Sequence, residues 1–237
     1  MFRRLIPLIL SYGIFFGSHN IFYTILLPRF SPVTLAAMSA FALAALLAIG
    51  VLLLTEKCLG ISVIPLSAAV ADKVNRILYL WLGFLGLFTV NIVLSLLFSP
   101  NTETNYLSVS FISLLSAVIV HPIGEEFLFR RLFLTRLACC LPKFGAVCVT
   151  AILFAISHYA SGYGNMLYAF CGGLILGSVY LSTGKILFSV LIHSAVNLLG
   201  LMISENILPA VCTVSAAVLM ISLLFFIFIC KRKEKQS

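Results

Sequence analysis

The chain has 237 residues, of which 62% are hydrophobic and 9% charged, with a formal net charge of +8 at pH 7. Soluble globular domains carry about a quarter charged residues, so this composition excludes them and fits a polytopic helical membrane protein. The positive balance does not indicate nucleic acid as a partner, because the basic residues stand at the ends of apolar runs instead of alternating with aromatics along a stripe.

The first apolar run extends from Leu5 to Leu27 behind Arg3 and Arg4. A span takes about 20 residues, and the run lacks a small-x-small cleavage site, so an uncleaved first helix is expected instead of a signal peptide. His19 and Asn20 fall near its far end and are expected at the interface. A turn from Pro28 to Pro32 leads into a second run, Val33 to Leu54, rich in alanine as suits close helix packing. Glu56 to Arg76 reads as a loop, and within it Cys58 to Val70 is apolar but too short to cross, so it is expected along the interface. A third span covers Ile77 to Phe98, and Ser99 to Asn105 is a polar turn. From Tyr106 the chain is helix-like to Leu137, which at 1.5 Å per residue is roughly 45 Å. That exceeds the bilayer, so this fourth helix is expected to tilt, kink at Pro122, or project into the cytoplasm. Four further spans are expected at Phe144–Tyr159, Asn165–Leu181, Ile186–Ile203 and Ile207–Cys230, separated by Gly, Ser or Pro turns.

The expectation is an all-α membrane bundle of about eight transmembrane helices. A cytoplasmic N-terminus puts fourteen of the fifteen basic residues on one side, leaving only Arg29 opposite. That asymmetry supports both the count and the orientation, with both termini cytoplasmic. The seven cysteines have neither metal-ligand nor redox spacing. They read as small buried hydrophobes.

The chemistry lies in three short stretches. His121 to Arg131 sets Glu125 and Glu126 in an apolar run, and ionisable groups at membrane depth are functional candidates by default. Glu126 and Arg130 form an i,i+4 pair with the acid N-terminal, the favourable order for a salt bridge, whereas Glu125 faces elsewhere. The second stretch, Phe154 to His158, ends the fifth span. The third presents His193 and Asn197 one turn apart on the seventh. Counted at 1.5 Å per residue from the same membrane side, Glu125, His158, Asn197 and His193 lie roughly 10 to 20 Å in, so the four can share one layer.

These residues resemble the CPBP intramembrane endopeptidases, which include the type II CAAX prenyl proteases and the Abi-like proteins. The resemblance rests on Glu-Glu-x-x-x-Arg at Glu125, Glu126 and Arg130, Phe-x-x-x-His at Phe154 and His158, and His-x-x-x-Asn at His193 and Asn197, and it extends to the small-residue run around Gly172, Gly173 and Gly177. Two positions depart from the family: Arg131 stands where glycine is usual, and His121, one turn before Glu125, is outside the pattern and is expected between helices. The resemblance implies a core over residues 106–203, preceded by N-terminal helices and loops (1–105) and followed by a C-terminal helix and basic tail (204–237), all in one membrane domain.

It also implies an intramembrane endopeptidase acting on a membrane-associated protein or peptide, a lipidated one among the candidates, reached within the bilayer from the cytoplasmic side. Hydrolysis needs an activated water and donors to the tetrahedral oxyanion. Glu125 would be the base and His158 would position the water, while His193 and Asn197 would serve the oxyanion, with Glu126, Arg130 and Phe154 in support. No cofactor is expected, because the His-Glu-x-x-His helix of zinc proteases is absent and Asn197 is a poor zinc ligand. The alternative is a zinc protease with Glu125, His158 and His193 as ligands and Glu126 as base. A transporter, or an immunity protein of the same fold without turnover, stands as the non-proteolytic reading.

Overall fold

Apolar runs in a bilayer must satisfy their own backbone groups, which helices do within one segment. In the computed structural model, which describes residues 2–29, 33–61, 73–98, 111–203 and 207–234, every regular element is helical. The eight principal helices are α1 (Phe2–Leu26), α2 (Val33–Cys58), α3 (Lys73–Phe98), α4 (Phe111–Leu137), α5 (Lys143–Ser157), α6 (Tyr163–Thr183), α7 (Ile186–Met202) and α8 (Leu208–Glu234). By length and composition α1, α2, α3, α4 and α6 can each cross a membrane, whereas α5, α7 and the apolar part of α8 are shorter. The all-α, multi-span architecture expected from composition is therefore present. Most of the interfacial stretch expected at 58–70 and all of the polar turn at 99–105 lie outside the described residues.

One expectation needs correction, and one helix departs from regular geometry. Glu56 does not open a loop: α2 continues to Cys58, and Glu56 is buried on its last turn. Nor is α4 the uniform helix that a constant rise of about 1.5 Å assumes. It alternates between α and π geometry, with π stretches at Ser116–Val120 and Phe127–Leu134 enclosing the α stretch His121–Glu126. The His121 N–H donates to the Ser116 carbonyl, five residues back. Proline's ring collides with the carbonyl four residues earlier in an α-helix; a wider turn just before Pro122 moves that carbonyl away from the ring.

Contacts divide the chain into two compact units, one of Met1–Ser67 with Val109–Thr150 and the other of Ala68–Ser108 with Ala151–Ser237. In the first, α1 packs along α2. Ala36, Ala40, Ala44 and Ala48 repeat every four residues on α2 and are fully buried, a small-residue stripe that permits close backbone approach. The Ser11 hydroxyl donates to the Ala48 carbonyl at 2.8 Å across this contact. Aromatic rings join these helices to α4: Phe15 meets Phe41 and Phe129 edge-on, and Tyr12 meets Phe133.

In the second unit α3 lies between α6, α7 and α8. Gly83 faces Val179 and Ile192, Leu87 faces Gly172, and Asn91 faces Gly200. The paired numbers fall along α6 and rise along α7, so α3 runs antiparallel to α6 and parallel to α7. Leu87, Leu176, Val179, Ile192 and Val196 form the core between them. Helix α6 stops at Gly184, whose left-handed φ of 68° turns the chain and lets its N–H return to the Tyr180 carbonyl, a conformation that glycine adopts without strain.

Gly173 sets how closely α5 and α6 approach, because a Cβ there would lie 2.7 Å from the Cα of Ala151. Backbone cannot swing aside, so Gly173→Ala should lower stability in detergent by about 1–3 kcal/mol, the range for overpacking. Gly17→Ala, with open space at its Cβ position, should melt like the wild type; equal melting of both variants would refute the close-approach role.

Candidate active site

The first motif occupies the middle of α4. Glu126 and Arg130 are both fully buried, with Arg130 Nε 3.0 Å from Glu126 Oε2. Leu128, Phe129, Phe133 and Leu134 of the same helix are buried as well. A charge in such surroundings is tolerable only when it is paired, and the i,i+4 spacing supplies the partner. The pair straddles the border where α geometry gives way to π. Within the π stretch the Thr135 hydroxyl donates to the Arg130 carbonyl, again five residues back.

Glu125 sits one residue before this pair and is half-buried. Its turn is keyed to α2 by Phe41. A Cβ on Gly124 would lie 2.5 Å from Phe41 Cε1, so only glycine admits the ring, and the same ring meets His121 edge-on at 5.3 Å. His121 is thus interhelical, as its sequence position suggested. His19, expected at the interface, also packs among rings, against Phe15 and Phe41. Arg131, where glycine was expected, points to the exposed surface.

Farther along α4, Arg136 pairs with Glu56 of α2 through two bonds, the Nη2–Oε2 one 3.0 Å long, while its Nη1 donates to the Leu132 carbonyl. Spacing could not reveal this pair, since its members are 80 residues apart. The available signal was an acid following an apolar run.

The second and third motifs belong to the second unit. Phe154 is buried near the end of α5, and His158 follows the last helical turn. His158 Nδ1 is 2.9 Å from the Phe154 carbonyl oxygen. A carbonyl only accepts, so Nδ1 carries a proton, and in the neutral ring Nε2 is the acceptor. Ser157 Oγ lies 3.3 Å from the same Nδ1. The Phe154 ring meets His158 edge-on at 4.6 Å and His193 edge-on at 6.3 Å. One phenyl ring therefore orients both histidines, which accounts for an aromatic residue in the second motif. His193 is buried on α7, and Asn197 follows one turn later, half-buried.

The residues singled out in the sequence thus fall into two sets. The first unit holds Glu125, Glu126 and Arg130; the second holds Phe154, His158, His193 and Asn197. Spacing reveals the Glu126–Arg130 pair, whereas the joint seat of His158 and His193 on Phe154 emerges only from the packing of α5 with α7. Within either unit, among the described residues, no three His, Cys, Asp or Glu side chains converge as metal donors.

Residues 107–199 match the family model of the Rce1-like type II CAAX prenyl endopeptidases. The matched segment contains all three motifs and ends two residues after Asn197. No curated protein and no solved structure matches the chain.

Because the buried pair neutralises two charges at once, removing either partner strands the other. Glu126→Ala and Arg130→Ala should each reduce stability by about 3–5 kcal/mol, read as a lower melting temperature in detergent. The double change Glu126→Leu with Arg130→Met, which leaves no buried charge, should recover most of that loss. A double variant as unstable as the singles would show that the pair does more than neutralise itself.

Proposed function

We propose that this chain, an integral membrane protein carrying the Rce1-like domain of a protease family, hydrolyses a peptide bond in a membrane-associated protein or peptide by means of a glutamate-activated water. The observation that carries the reading is the presentation of His158 Nε2, a lone pair held in one tautomer by the Phe154 carbonyl and beside the same ring as His193. In the first motif Glu126 is committed to Arg130. Glu125 is the half-buried acid of the two, suited to proton exchange.

In this reading the Glu125 carboxylate takes a proton from water that His158 Nε2 helps to position. The oxygen attacks the scissile carbonyl, His193 and the Asn197 amide donate to the resulting oxyanion, and the proton held by Glu125 passes to the leaving amine. Asn197 keeps its donors at any pH, which suits an oxyanion. A prenylated C-terminal sequence is the substrate class that the family name supplies, and a lipid-bearing peptide would enter from the bilayer or from its cytoplasmic face.

A lone pair on His158 is equally a metal ligand, so zinc held by Glu125, His158 and His193 is the second reading. Bound zinc would polarise the carbonyl and acidify its water.

The two readings separate on purified protein. Cleavage of a quenched fluorescent peptide ending in a prenylated Cys-aliphatic-aliphatic-X sequence should be lost in Glu125→Ala, His158→Ala and His193→Ala, with each variant melting near the wild type. An active, folded Glu125→Ala protein would remove Glu125 as base. Elemental analysis of the active protein should find no stoichiometric metal; zinc at one per chain, with activity lost to a chelator and restored on return, would favour the metal reading.

The same proposal places both termini in the cytoplasm, following the basic-residue asymmetry. A reporter fused after Lys235 should register as cytoplasmic, and a cysteine replacing Glu103 should react only with an impermeant reagent on the opposite side. Cytoplasmic labelling at 103 would overturn this orientation.

A further inference from the structure

The motif acid Glu125 has a companion that the three motifs do not include. Ser116, His121 and Glu125 would not share a face on a uniform α-helix, since five residues advance the chain by about 500°, which leaves Ser116 well off the line of His121. The π stretch Ser116–Val120 changes that relation. With the His121 N–H bonded to the Ser116 carbonyl, the two residues stack, and Ser116 Oγ lies 3.3 Å from His121 Nδ1. Geometry then returns to α over His121–Glu126. In that stretch His121 and Glu125 are i,i+4 neighbours, with Cβ atoms about 5–6 Å apart. The switch from π to α therefore lines up a hydroxyl, an imidazole and a carboxylate.

Two members of this line are held. Ser116 is buried. The imidazole of His121 stands edge-on to Phe41, which is seated against Gly124 in the same turn. When the Ser116 hydroxyl donates to Nδ1, the proton of the neutral ring sits on Nε2, the nitrogen with the longer reach along the helix.

We infer that His121 is a positioning residue for Glu125: anchored by Ser116 and Phe41, it donates from Nε2 to the Glu125 carboxylate and holds that group in the orientation from which it accepts a proton. The inference rests on Glu125 being the base. It extends that reading by one residue on the same helix and by the π turn that aims it.

Two substitutions separate hydrogen bonding from packing. His121→Phe keeps an aromatic edge against Phe41 and loses the donor; His121→Gln loses the ring and keeps a donor at similar reach. Using the full chain in detergent and the prenylated peptide above, His121→Phe should lower kcat by about tenfold or more, the size of one lost hydrogen bond to a charged group. KM should stay within about twofold. His121→Gln should restore most of the rate, and Ser116→Ala should fall between them. Modification of Glu125 by a carbodiimide, followed by peptide mass spectrometry, reads the same coupling without turnover: its rate should change severalfold in His121→Phe and return in His121→Gln.

A His121→Phe protein equal to wild type in both measurements, or Phe and Gln variants impaired alike, overturns the inference. Should His121→Phe fail to fold, His121→Gln and Ser116→Ala still decide it, since a packing role predicts loss in the first and none in the second. A labelling shift in a protein that never cleaves the peptide sustains the coupling and removes the protease reading. Cleavage that depends on Glu125 but is indifferent to position 121 removes the inference alone.

Discussion

A positive and a negative charge are buried together in α4, and much of the first unit follows from that constraint. Glu126 and Arg130 have no measurable exposure, so their surroundings must exclude solvent and tolerate only a neutral sum. Exclusion is supplied by the neighbouring Leu128, Phe129, Phe133 and Leu134, whose rings reach the α1 helix at Tyr12 and Phe15. The pair also fixes the rotation of α4, because turning the helix would expose one charge to lipid. Once the rotation is set, the half-buried Glu125 is set with it.

The second constraint on the same helix is its alternation of geometry. Two π stretches in one transmembrane segment are uncommon, and such features gather at functional sites. Here the first accommodates Pro122 and brings Ser116 under His121, while the second carries Arg130. The α turn between them bears the whole Glu-Glu pair, and Phe41 presses into it where Gly124 has no side chain. Glu125 therefore stands on a short regular turn clamped from α2, a rigid mounting for its side chain.

Local periodicity made some of this legible in the sequence. Eight apolar runs correspond to eight helices, and the alanine-rich second run does pack closely, through Ala36, Ala40, Ala44 and Ala48. Glu126 and Arg130 could be paired by counting four residues. What could not be read depends on departures from a uniform helix or on distant partners. Assuming a constant 100° advance misplaces Ser116 relative to His121. No spacing rule links Glu56 to Arg136. Phe154 could be recognised as part of a motif, but its contact with both histidines depends on how two helices pack, which no single helix encodes. Likewise the fading apolarity at Glu56 points to a loop, although the helix continues through it and buries it.

The tether on His158 limits how that imidazole can handle protons. Conduction along a hydrogen-bonded chain requires a ring to receive on one nitrogen and release from the other. Here Nδ1 lies 2.9 Å from a backbone carbonyl of its own helix, an oxygen with no proton to exchange, and 3.3 Å from the Ser157 hydroxyl, so any onward path from this nitrogen runs through a single serine. Both contacts belong to the last turn of α5, so the imidazole is tied to the end of that helix and turns only with it.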